Sequence, residues 1–158
     1  METTRHFTAT IYIVNDGATA LHHHDRLDMW LPPGGHIGRD ELPHEAALRE
    51  ATEETGLPVT LIQSAEGGAS ETARPLPQPA HLMLEDINRH PTGIGHQHID
   101  FIYYGSSEYR SIDPQGSDEA PVDQWEWVDA ETLQVDSRFA PDVMEHGIAA
   151  IERVEQWA

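Results

Sequence analysis

The spacing of apolar residues changes repeatedly along the chain, and each change predicts an element. Phe7 to Asn15 (FTATIYIVN) is dense in β-branched and aromatic residues and predicts a strand. Asn15-Asp16-Gly17 is a tight-turn signal, so Ala18 to His23 is expected to return as the second strand of a hairpin. Met29 to Leu31 is a short apolar stretch, and Pro32-Pro33-Gly34-Gly35 should then break any regular element. The period switches at Pro43. PHEAALREATEET, with proline in its first turn and Gly56 as its stop, predicts a helix. Val59 to Ser64, Ala80 to Ile87, His96 to Tyr104 and Val122 to Val128 read as further strands, separated by the polar loops Glu66 to Pro79 and Ser106 to Pro121. Pro141 opens a last helix with Val143, Gly147, Ile148, Ile151 and Val154 on one side. This order predicts an α/β (α+β) fold, a mixed sheet flanked by helices. The length of 158 residues suits a single domain over 1–158.

Charge adds a constraint that the pattern does not contain. Nine basic residues, all of them Arg, face 28 acidic ones for a formal net charge of −19. Such a surface repels nucleic-acid backbones and anionic membranes, so neither is expected as a partner. An acidic, Lys-free chain resembles the proteins of salt-loving microbes, where concentrated salt screens self-repulsion. Cysteine is absent, which excludes disulfides, cysteine metal sites and a cysteine nucleophile. No apolar run is long enough for a membrane helix, and the first residues read as a strand rather than a signal peptide. A cytoplasmic location is expected.

The candidate chemistry lies on the central helix. Glu50, Glu53 and Glu54 stand three and four residues apart and share one face, beside the arc of Ala47, Leu48, Ala51 and Thr55 that can pack on a sheet. Crowded carboxylates raise one another's pKa unless a cation intervenes. Hard divalent ions take oxygen ligands, often together with substrate phosphates. Arg49 flanks the arc and can hold a carboxylate with a forked hydrogen bond.

The wider segment reads Gly35, five residues, Glu41, seven residues, Arg49-Glu50, two residues, Glu53-Glu54, one residue, Gly56 and apolar Leu57. This resembles the Nudix box, and the chain resembles a Nudix (MutT-like) hydrolase, with Ala51 where family members usually carry a bulkier apolar residue. The resemblance implies a mixed sheet between helices and metal-dependent hydrolysis of a nucleoside diphosphate linked to a group X, with Mg²⁺ or Mn²⁺. It further implies Glu50, Glu53, Glu54 and the Gly34 carbonyl as metal ligands, a close backbone approach at Gly35, Arg49 as the orienting group and Glu41 as support for the loop. The general base varies across the family and often lies outside the box. Asp118 and Glu119 are candidates, with Glu119 preferred and Glu53 or Glu54 as alternatives. A small nucleotide is the expected substrate, a nucleoside triphosphate (oxidised ones included) or a nucleotide sugar. ADP-ribose is the alternative, and Pro75, Pro77 and Pro79 point to it only faintly. A non-catalytic nucleotide sensor is the reading from another class, and a homodimer is one expected assembly.

His22, His23 and His24 are expected at a strand end and loop near the cleft rather than as a dedicated metal site. His96, His98 and Asp100 share one strand face, either as a hydrogen-bonded sheet surface or as substrate or metal contacts. Trp30 could stack on a base or belong to the core.

Overall fold

A computed structural model describes residues 2–157. Its centre is β1 (Thr4–Asn15), buried on both faces from Thr8 to Val14 apart from half-buried Thr10. Alternation sends Ala9, Ile11 and Ile13 to one layer, and Tyr12 and Val14 to the other.

β1 turns through Asp16 and Gly17, both with positive φ (45° and 75°), into antiparallel β2 (Ala18–His24), as the turn signal predicted. β2 pairs with β3 (Met29–Leu31) at one end and with β8 (Trp125–Asp129) along Ala18 to His22. Along its other edge β1 runs parallel to β7 (Gly93–Ser106), in register from Thr4 opposite His96 to Val14 opposite Ser106. β6 (His81–His90) and β5 (Thr60–Leu61) flank β7. The result is a mixed sheet of eight strands.

α1 (Pro43–Thr55) covers the first layer through Ala46, Ala47 and Ala51, each fully buried against Ala9, Ile11 and Ile13. α2 (Ala130–Val135) and α3 (Pro141–Trp157) cover the second, where Leu133, Val143, Ala150 and Ile151 meet Tyr12, Ile102 and Val128. Among the described residues, no helix is long and apolar enough to cross a membrane.

Three expectations need correction. Pro32 to Gly35 does not simply break the chain: Gly34–His36 is a strand, β4, antiparallel to β1. Glycine makes this possible, because a Cβ on Gly34 would stand 2.7 Å from Thr10 Oγ1 and 2.8 Å from the Ala9 carbonyl. Val59 to Ser64 shrinks to the two residues of β5. Val122 to Gln124 is a 3-10 turn that leads into β8, and the unforeseen α2 follows, capped by Asp129 accepting from Thr132 N–H at 2.8 Å.

Candidate active site

The glutamate arc forms because α1 is locally well bounded. Glu45 Oε1 accepts from the Leu42 N–H at its start, and Gly56 adopts φ 68° at its end, its N–H bonded to the Thr52 carbonyl. The helix lies against β4, so its acids meet the two glycines. Glu50 fills the space above Gly35, where any Cβ would collide with its carboxylate. Glu54 accepts from the Gly34 N–H at 2.8 Å. The ladder explains that bond. Ile11 N–H donates to the Pro33 carbonyl and Ile37 N–H to the Phe7 carbonyl, so the alternation of an antiparallel pair turns both polar groups of Gly34 away from β1. The Gly34 carbonyl is thereby directed outward, like its N–H.

Arg49 clamps the acids. Its guanidinium forks onto Glu41 at 2.6 and 3.0 Å, reaches Glu50 at 2.9 Å and Glu53 at 3.1 Å, and donates to the His36 carbonyl at 3.0 Å. Glu41 also accepts from the Gly38 N–H, closing the loop before the helix. The carboxylates grade from core to solvent: side-chain exposure is 9% for Glu54, 13% for Glu50 and 40% for Glu53.

This burial has an electrostatic consequence. Desolvation, and then the charge of Glu50, holds Glu54 well above the ordinary carboxylate range, against the pull of the Gly34 N–H. Glu50 is raised by burial despite Arg49.

The loop after β7 supplies a further acid. Asp113 N–H donates to the Thr55 carbonyl, and Gln115 and Gly116 N–H both donate to the Glu53 carbonyl, so the loop satisfies carbonyls at the end of α1. A Cβ on Gly116 would stand 2.6 Å from Glu119 Oε1 and 3.2 Å from Glu53 Cβ, which puts the Glu119 carboxylate beside the helix. Burial, then the charges of Glu50 and Glu53, raise the Glu119 pKa. Asp118 is exposed, with φ 62°.

The donor set fits a hard divalent cation. It is all oxygen, it combines carboxylates with an outward carbonyl, and its most buried members favour protonation when no cation offsets their burial.

The NUDIX domain family model matches residues 4–147. The chain belongs to the Nudix family. An RNA pyrophosphohydrolase of Bartonella clarridgeiae is 35% identical over 111 residues, 69% of this chain and 61% of that protein, and one of Hahella chejuensis is 30% identical over 101 residues, 64% of this chain and 60% of that protein. The chain thus spans about 61% of the length of the first of these curated relatives. A crystal structure of a NUDIX-family hydrolase from Clostridium perfringens superposes with a TM-score of 0.78 at 30% identity, covering 96% of this chain and 99% of that one. A MutT protein from Methanosarcina mazei shares the fold, with a TM-score of 0.60 at 20% identity, covering 99% and 96%.

Within this Nudix domain the box residues converge, and other expected contacts do not join them. Trp30 was a candidate stacking surface, but Phe139, His23 and the Arg138 guanidinium engage its ring, and it packs against the core. Asp100 separates from His96 and His98. It is buried and accepts from Thr8 at 3.0 Å and from Thr10 at 2.8 Å, whereas the histidines stand at the outer end of the sheet. His22 lies beside the glutamates, near the cleft where the triplet was expected. Its Nε2 lies 3.7 Å from Glu54 Oε1, its ring stands 4.7 Å from that of Trp125, and burial lowers its pKa to about 4. It faces Glu54 as a neutral wall. Alternation along β2 separates His22 and His24 from His23, but does not name the glutamate opposite.

Proposed function

We propose that this Nudix domain hydrolyses the pyrophosphate linkage of a nucleoside diphosphate joined to a further group X, with Mg²⁺ or Mn²⁺ held by Glu50, Glu53, Glu54 and the Gly34 carbonyl. The observation that carries this reading is the convergence of Glu54 on Gly34 and Glu50 on Gly35, with the Arg49 guanidinium joining Glu50 to Glu53. A bound divalent ion would offset phosphate charge that a surface at −19 otherwise repels, and would acidify a water. Arg49 keeps Glu50 and Glu53 in fixed rotamers while Glu41 neutralises its other side. Glu119 stands beside Glu53 outside that clamp, and its raised proton affinity suits the base that takes the proton of the attacking water.

A small nucleotide is the favoured substrate, because the acidic surface opposes a long phosphodiester. The second reading is the 5′-triphosphate end of an RNA, supported by relatives that carry the name RNA pyrophosphohydrolase. The proposed setting is the cytoplasm, where these nucleotides are made and used, and the charge points to a salt-rich one.

The test is a panel of nucleoside triphosphates (oxidised ones included), nucleotide sugars, ADP-ribose and a 5′-triphosphorylated RNA, with Mg²⁺ or Mn²⁺, at low and at molar KCl. Release of phosphate or pyrophosphate from a small nucleotide is expected. Faster turnover of the RNA would select the second reading. Tight nucleotide binding with no turnover under any condition would leave a sensor.

A further inference from the structure

Four histidines from three strands meet at the outer end of the sheet. The parallel register sets His6 beside His98 and Thr4 beside His96, and the β4 pairing sets His36 opposite Thr8, next along the same face of β1. Ligand nitrogens of His6, His96 and His98 lie within 4.8 Å of one another. His36 joins them: its Nε2 is 3.3 Å from His6 Nδ1, and its ring centre is 5.2 Å from that of His98.

This is an unusual polar surface. Four imidazole rings meet edge to face, with ring centres 5.0 Å apart for His6 and His36, 4.6 Å for His6 and His96, and 5.1 Å for His96 and His98. Neutral imidazole is the ligand form. Two nitrogens bound tetrahedrally at about 2.0–2.1 Å from Zn²⁺ stand about 3.4 Å apart. The His6–His36 pair already has that spacing, and His96 and His98 each hold a ligand nitrogen within 4.8 Å of one on His6. Thr4 Oγ1 lies 2.8 Å from His96 Nδ1, which holds that ring and leaves Nε2 to ligate.

We propose that His6, His36, His96 and His98 form a second metal centre, a nitrogen-donor site for Zn²⁺ distinct from the all-oxygen glutamate site. The two sites lie on opposite faces of β4, since Gly35 faces Glu50 and its neighbour His36 faces the imidazoles. The ion would tie the first turn of β1 to β4 and β7. It would also steady His36, whose carbonyl accepts from Arg49. The proposal stands whether or not the chain is a hydrolase.

The test is equilibrium dialysis of the full chain against limiting Zn²⁺ with Mg²⁺ in excess to occupy the oxygen site, with bound Zn²⁺ read by atomic absorption. One Zn²⁺ per chain is expected. His98→Ala should weaken binding about tenfold or more. His6→Ala should do the same at an exposed position where folding is not at stake, and Glu53→Gln should have no effect. Absence of retained Zn²⁺ in the wild type would overturn the site. So would unchanged retention in His6→Ala, or loss in Glu53→Gln.

Discussion

Glu50, Glu53 and Glu54 on α1 and the Glu85–Asp100 pair on the sheet both force carboxylates together, and they resolve the repulsion by different means. Glu85 and Asp100 are hydrogen-bonded to each other, burial raises both and the charge of Asp100 raises Glu85 further, and the threonine hydroxyls of Thr8 and Thr10 donate to Asp100. A proton on Glu85, donated to Asp100, completes that pair. At α1, Glu50, Glu53 and the preceding Glu41 share one guanidinium, Glu54 has only the Gly34 N–H, the outermost acid of the helix opens to solvent, and a carbonyl faces outward beside them. Acidic crowding alone therefore does not mark a cation seat. The supports do: donors saturate the sheet pair, whereas the helix cluster keeps lone pairs free on its open side.

Exchanging one acid in each place should separate the two most widely. Glu54→Gln is expected to remove Mg²⁺-dependent turnover by orders of magnitude with folding intact, while Glu85→Gln leaves kcat within a few fold. Equal losses in steady-state assays would make the sheet pair part of the same machinery. A smaller effect sharpens the boundary of the helix site. Glu119→Gln should lower kcat by about 10²- to 10⁴-fold as the loss of a general base, while Asp118→Asn changes it little. If Asp118→Asn were the damaging change, the base would lie on the exposed side of the loop.

The smallest effect concerns stability. Glu85 is raised from 4.5 to about 8, chiefly by burial and then by Asp100. Between those values the folded chain holds a proton that the unfolded chain has released, so this group's stabilisation is full below 4.5 and is lost as pH rises towards 8. Glu85→Gln cannot titrate. Its Tm relative to the wild type should climb by a few degrees across that window, read by thermal melts in chelator. A constant difference would mean that Glu85 carries no such shift.

The box was legible because its information is local. Helical period, a proline start and a glycine stop place Glu50, Glu53 and Glu54 on one arc before any partner is known, and α1 runs over the residues that those signals marked. The acid arc at the core's edge followed from the arc beside it: Ala47, Ala51 and Thr55 are fully buried, while Leu48 is half-buried and Ala46 takes its place in the core. β4 was missed because its pairing depends on a partner strand that tolerates no Cβ at Gly34, a condition set by Thr10 and not by the Pro-Pro-Gly-Gly segment.

By itself, then, the sequence determined the helix, the face its acids share, the guanidinium within reach of them and the family to which they point. Only the tertiary structure decided what stands around them. The parallel pairing of β1 with β7 joins residues about ninety apart and so brings His6 to His98, and β2 carries His22 to Glu54. The reason is physical. A strand's alternation says which residues share a face, but the neighbour across the ladder depends on register between distant segments, which is selected only when the whole sheet packs.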